Sequence, residues 1–186
     1  DIEARVLLAS ERYHVLAVDI SDTATLNATL VAAGFNFEAP TMVLSECVLA
    51  YLSPAEGDAL IAWARAALSG PSMLVDYSPI GPMDGFGTTM MKHFTAYGAA
   101  LAGIGPYGSP SDQQQRLRRA GWDDVAVTTL ATLFARLPEA ERHRIVTLEP
   151  FDELEELYVT CHHYSMPIAL SQMDVSAHCV LGMDKA

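Results

Sequence analysis

The stretch "PTMVLSECVLAYLSPAEGDALIAWARAALSGPSMLVDY", residues 40–77, constrains this chain more than any other. A short apolar run (40–46) leads into a segment with helical apolar spacing (53–70), and a second apolar run (72–77) follows at once. The helical segment carries its own punctuation. Ser53 stands as N-cap, Pro54 at the first helical position and Glu56 at the third, a capping-box arrangement, and Gly70 with Pro71 ends the helix.

The same unit stands upstream. "YHVLAVDI" (13–20) reads as a strand, and "DTATLNATLVAAG" (22–34) as a helix closed by glycine. The run 72–77 is apolar enough for a sheet covered on both faces. Strands alternating with helices of this length predict a parallel, doubly wound α/β sheet with helices on both faces. Ligands of such sheets sit beyond the carboxyl ends of the strands. Asp19, Glu46 and Asp76 lie at or near three such ends. An acid there is most often a cap or a solvated turn residue. Three in succession suit ribose hydroxyls and an adenine amino group, which donate the hydrogen bonds that carboxylates accept.

After residue 80 the pattern changes. Segments 83–101 (after its glycines) and 111–121 (Asp112 near the start, Gly121 as the stop) read as helices, and 122–130 reads as a strand. Residues 137–164 give two helices broken near Pro150, with Asp152 placed to cap the second. Residues 164–172 and 176–182 suit a terminal hairpin, in which Pro167 excludes the first strand from a sheet interior.

Composition bounds the class. The chain has 186 residues, 51% hydrophobic and 18% charged, which is one globular domain's worth. Its apolar runs are shorter than the roughly 18 residues a membrane span needs, and residues 1–15 lack the basic-then-apolar order of a signal peptide. The expectation is a soluble, cytoplasmic protein with no membrane partner. Cys47, Cys161 and Cys179 are odd in number and irregular in spacing, so a reducing compartment and small core side chains are expected. A net charge of −12 disfavours unassisted phosphate-backbone binding, although "QQQRLRRAGW" (113–122) gathers three of the eleven Lys and Arg residues.

Other motifs weigh less. The glycine clusters at 84–87 and 103–108 lack the strand-to-helix context and spacing of a phosphate cradle. Cys161, His162 and His163, with His178 and Cys179, invite a metal, but no ligand pair at i,i+4 or C-x-x-C spacing accompanies them, and no metal is expected. No serine sits in a G-x-S-x-G elbow. The acids of 150–158 read as a solvated helix face, and Glu139 with Arg142 and Glu141 with Arg144 as surface i,i+3 pairs.

Five segments in order, "LSECVLAYLSP", "SMLVDYSPIGPMDGFGTTMMKHF", "QQQRLRRAGW", "RLPEAERHRIVTLE" and "FDELEELYVTCHHY", resemble the leucine carboxyl methyltransferase family from about residue 12 to 164. The resemblance implies a Rossmann-like class I methyltransferase sheet that uses S-adenosyl-L-methionine. One branch of the family methyl-esterifies the C-terminal leucine carboxylate of the protein phosphatase 2A catalytic subunit. Another acts on a tRNA base in wybutosine synthesis. Carried over by motif, Asp19 and Ile20 are expected on the cofactor's adenine side and Glu46 as a second cofactor contact. Tyr51, Tyr77 and Asp84, with Phe86 and Gly87, are expected to line or shape the acceptor side. No residue is assigned acid or base chemistry, because an acceptor carboxylate is already ionised at neutral pH and catalysis then rests on alignment with the sulfonium methyl.

The family's earlier half, with its arginine-bearing segment, glycine-rich turn and second-strand acid, has no counterpart in this sequence. The chain is therefore expected to be the C-terminal portion of one methyltransferase domain, with residues 1–80 on the cofactor side and 81–186 on the acceptor side. The phosphatase acceptor is placed ahead of the tRNA, and a non-catalytic partner-binding fragment is the rival from another class.

Overall fold

A computed structural model describes residues 6–148 and 152–182. The first elements stand apart from the rest: β1 (Val6–Ala9) and β2 (His14–Leu16) form an antiparallel two-stranded sheet of their own. The expected strand 13–20 is thus only three residues long and does not join the main sheet. Helix α1 (Thr23–Ala32) follows, capped by the Asp22 carboxylate on Thr25 N–H.

The main sheet grows from the strand–helix–strand unit. β3 (Thr41–Glu46) and β4 (Ser72–Pro79) pair in parallel, from Thr41 opposite Ser72 to Glu46 opposite Tyr77. Between them runs α2 (Pro54–Ala67). Its capping box forms as the sequence predicts: Ser53 Oγ accepts from Glu56 N–H, and the Glu56 carboxylate accepts from Ser53 N–H. Such caps are worth about 1 kcal/mol.

Helix α3 (Gly85–Ala96) starts on the glycines themselves, because the Asp84 carboxylate accepts from Gly87 N–H and supplies the cap. Helix α4 (Pro110–Arg119) precedes β5 (Asp124–Thr129), and α5 (Leu130–Arg136), α6 (Glu139–Leu148) and α7 (Leu154–His162) follow. Glu141 and Arg144 form one of the expected surface pairs, at 2.6 Å. Glu153 rather than Asp152 occupies the N-cap of α7, without a side-chain bond to it. Pro150 lies outside the described residues.

The C-terminal hairpin does not form. Residues Tyr164–Ser171 are β6, which lies between β4 and β5 and is antiparallel to both, giving the order β3-β4-β6-β5. Residues Ala177–Val180 are a short helix, α8. Pro167 is buried in this interior strand, opposite Val127 of β5. The exclusion of proline from sheet interiors rests on its missing N–H. Here the β4–β6 ladder pairs Val75 with Ile168 and next Ser78 with Ser165, so Pro167 falls in the interruption where no donor is asked for.

Helices cover both faces. Ile61 and Ala64 of α2 pack with Leu74, Leu117, Trp122, Val125 and Ala169 on one side, and Ala126, Ile168 and Leu170 pack with Ala177 and Leu181 on the other. β3 is an edge strand, and its Met42 and Leu44 are 59% and 60% exposed. None of the cysteines belongs to the core: Cys47 and Cys161 are half-buried and Cys179 is exposed.

Candidate functional site

The parallel pair β3–β4 presents its carboxyl ends together. Glu46, the last residue of β3, is exposed and stands opposite Tyr77 in register. The chain leaves the strand through Cys47, whose φ of 51° is a left-handed conformation uncommon for a side chain of this kind, and Cys47 N–H donates to the Tyr77 carbonyl at 2.7 Å. Burial pushes the Cys47 thiol up, and Asp76 and Glu46 push it further.

Asp76 points inward, away from the rim where the sequence reading puts it. It is 4% exposed and accepts from Ser45 Oγ at 2.7 Å and from Ser78 Oγ at 2.5 Å. Burial raises its carboxyl above the ordinary range, against the opposing pull of the two serines and of the Arg116 charge. Arg116 is itself buried. Its Nε donates to Asp58 at 2.7 Å, and its guanidinium lies 4.1 Å from the Tyr107 ring centroid. Gly57 makes room for it, since a Cβ there would come within 2.2 Å of Arg116 Nη2.

Asp19 lies three residues beyond β2, in the turn before α1. It is exposed and accepts from Ser21 Oγ at 2.7 Å and Ser21 N–H at 2.9 Å, bonds that hold its carboxyl below the usual range. Its charge is felt by Glu56 at the start of α2. Ile20 lines an apolar recess of about 250 Å³ with Val43, Leu44, Val48 and Leu49, which sets Ile20 beside the C-terminal half of β3. The chemistry suits the nucleoside end of the cofactor that the resemblance implies: the recess offers an apolar wall for a purine, and the exposed Asp19 and Glu46 carboxylates, which do not line it, are acceptors for hydroxyl groups. Among the described residues lining the recess none is cationic, so the cofactor's carboxylate end finds no partner there.

The residues expected on the acceptor side, Tyr51, Tyr77 and Asp84, lie around a second place without lining one common pocket. Tyr77 and Tyr164 stack with centroids 4.9 Å apart and planes 11° from parallel. Tyr51, half exposed, faces Phe94 at 6.4 Å. A mostly apolar cleft of about 290 Å³ opens beside them, walled by Phe86, Thr89, Met90, His93 and Phe94 on one side and by Thr160 and Tyr164 on the other. Burial is the main cause that pushes the Tyr77 phenol up to about 12, so at neutral pH it is a hydroxyl and not a base. Asp84 caps α3 and is held below the ordinary carboxylate range by Gly87 N–H first and by His163 second.

Tyr164 and Phe94 as cleft residues, and His163 packed against the cleft's Phe86, were not legible. The signal for the first and last was present in "CHHY", but adjacency in a sequence says nothing of which neighbour turns inward. His162 bonds the Tyr158 carbonyl from the surface while His163 is 6% exposed. Among the described residues no group of three metal-ligating side chains converges.

A mixed sheet with one antiparallel strand inserted beside β4, helices on both faces and a rim at the carboxyl ends of β3 and β4 fits the class I methyltransferase fold that the sequence leads one to expect. Residues 2–65 match the family model described as leucine carboxyl methyltransferase. The chain is 35% identical over 176 residues to tRNA wybutosine-synthesizing protein 4 of Rattus norvegicus, covering 94% of this chain and 25% of that protein. It is 31% identical over 160 residues to leucine carboxyl methyltransferase 1 of the same organism, covering 86% and 48%. Over these stretches the chain is similar to the leucine carboxyl methyltransferase family, and it spans from a quarter to about half the length of these curated relatives. Among solved structures it is similar to mycolic acid cyclopropane synthase CmaA1 complexed with SAH and CTAB, with 16% identity, a TM-score of 0.46 and coverage of 91% of this chain and 64% of that one. Nothing about function follows from a likeness at that level. No described helix is long and apolar enough to cross a membrane.

Proposed function

We propose that this chain supplies the nucleoside side of the cofactor site and the acceptor cleft of an S-adenosylmethionine-dependent carboxyl methyltransferase. The observation that carries the reading is the place of Glu46: an exposed carboxylate at the carboxyl end of an edge strand, inside the family-matched segment that also holds Asp19 and Ile20. Asp19 and Glu46 bind the cofactor's hydrogen-bond donors, and Ile20 packs on its purine. The cofactor supplies the electrophilic methyl group. Tyr51, Tyr77 and the apolar cleft hold the acceptor, and Asp84 shapes that cleft from the cap of α3.

The acceptor we favour is the C-terminal leucine carboxylate of the protein phosphatase 2A catalytic subunit. An apolar cleft suits a leucine side chain, and an ionised carboxylate needs alignment rather than a base. Tyr77, neutral at working pH, can orient a carboxylate by donating to it. A second reading, a tRNA acceptor, draws support from the relatives named for wybutosine synthesis, which match more of the chain. A third reading is a partner-binding module without activity.

Transfer of a radiolabelled methyl group separates the three. Label in a base-labile ester of a leucine-ending phosphatase tail peptide supports the first, label in tRNA the second, and label in neither the third.

A further inference from the structure

The cleft has two walls from distant parts of the chain, and one side chain joins them. The first wall is α3, and the second is the end of α7 with the start of β6. His163 sits at that junction, 6% exposed, and reaches in both directions. Its Nδ1 lies 2.7 Å from the Val159 carbonyl, and its Nε2 lies 2.8 and 3.0 Å from the two oxygens of Asp84. A carbonyl and an ionised carboxylate can each only accept, so the two contacts require a proton on both ring nitrogens, Nδ1–H on Val159 and Nε2–H on Asp84. The Val159 bond fixes the ring's plane and aims Nε2 at Asp84, 79 residues away in sequence.

The surroundings leave the ring no other place. Phe86 lies against it with centroids 4.3 Å apart. Gly81, at a φ of +68°, passes beneath it, and a Cβ there would come within 2.9 Å of the ring's Cδ2. Ile80 N–H donates to the His163 carbonyl at 2.8 Å, tying the same residue to the end of β4. Asp84 meanwhile holds Gly87 N–H at the first turn of α3. The path Val159–His163–Asp84–Gly87 is therefore an unbroken chain of hydrogen bonds from one wall to the other. Beyond it on the second wall comes Tyr164, stacked on Tyr77.

We propose that His163 is a positioning residue of the acceptor cleft: by pinning the cap of α3 to the α7–β6 junction it sets the separation of the two walls, and so governs acceptor affinity but not cofactor affinity. This rests on the reading of the cleft as the acceptor site. The test compares His163→Phe, which keeps the ring volume and loses both bonds, with His163→Gln, whose amide can donate to Asp84 from near the Nε2 position. Hydrogen exchange on this chain alone reads the geometry. In His163→Phe the amides of residues 86–91 and 159–162 are expected to exchange at least tenfold faster while those of β4 and β6 stay within twofold, and His163→Gln is expected to recover most of the protection of 86–91. Unchanged exchange at 86–91, or an equal rise throughout the sheet, would overturn the proposal. Where methyl transfer to the leucine-ending peptide is observed, the peptide KM is expected to rise about tenfold in His163→Phe with S-adenosylmethionine affinity within twofold; an unchanged peptide KM would overturn the link to acceptor binding. If no transfer occurs even in the unmodified chain, the functional reading fails, while the exchange experiment still decides the role of His163.

Discussion

Ser45 and Asp76 meet across neighbouring strands, with Ser45 Oγ donating to Asp76 Oδ1 at 2.7 Å, and this buried bond ties the ends of β3 and β4 together one residue short of Glu46 and Tyr77. Ser78 occupies the second carboxylate oxygen. The two residues assigned to opposite sides of the site, Glu46 for the cofactor and Tyr77 for the acceptor, therefore share one concealed support.

Removing that support is expected to cost stability. Asp76→Ala leaves two buried hydroxyls without their acceptor, a loss of about 2–4 kcal/mol. Urea unfolding measures it. Asp76→Asn keeps one acceptor oxygen and should lose less. Because burial raises the native Asp76 carboxyl, its ionisation works against the fold: its contribution is most favourable below the unfolded value of 3.8 and declines as pH rises through the folded one.

Asp84 titrates in the opposite sense. Its folded-state carboxyl is depressed by Gly87 N–H and by His163, so its contribution is present above the unfolded value of 3.8 and is lost as pH falls through the folded one. Asp84→Asn is therefore expected to narrow the fall in Tm between pH 5 and pH 2 relative to the parent, as scanning calorimetry would show. Parallel Tm curves for the two proteins across that interval would contradict the assignment.

Gly87 offers a test whose sign is informative. Glycine to alanine inside a helix ordinarily gains up to about 1 kcal/mol. A Cβ on Gly87 would stand 1.8 Å from the Gly81 carbonyl oxygen and 2.8 Å from the Pro82 Cα, both backbone atoms. Gly87→Ala should instead lose about 3 kcal/mol, because α3 must move off the 80–82 loop. Chemical denaturation reads it, and a neutral or stabilised variant would mean that α3 does not sit this close.

The strand–helix–strand core and its capping box were legible because each signal is local: apolar runs of strand length and a Ser-Pro-x-Glu start need no knowledge of distant partners. The misplaced elements depend on partners. β6 reads as an edge strand by its proline, and only the interrupted ladder opposite Asp76 and Tyr77 makes room for Pro167 inside the sheet. The same limit applies to the site. Glu46 and Asp19 are exposed acids beside recognisable strand and turn signals, whereas Asp76 looks identical in sequence and turns inward. His163 is separated from Asp84 by most of the acceptor half, so their pairing has no local signature.

Glu46 is exposed, so replacing it should leave stability within about 0.5 kcal/mol and let a binding change be read directly. Calorimetric titration of S-adenosylhomocysteine into the chain and into Glu46→Ala is the most direct measurement of the central claim. The account predicts saturable binding in the parent, weakened at least tenfold in the variant at unchanged Tm. Equal affinity in the two proteins, or no saturable heat in the parent at millimolar ligand, would contradict it.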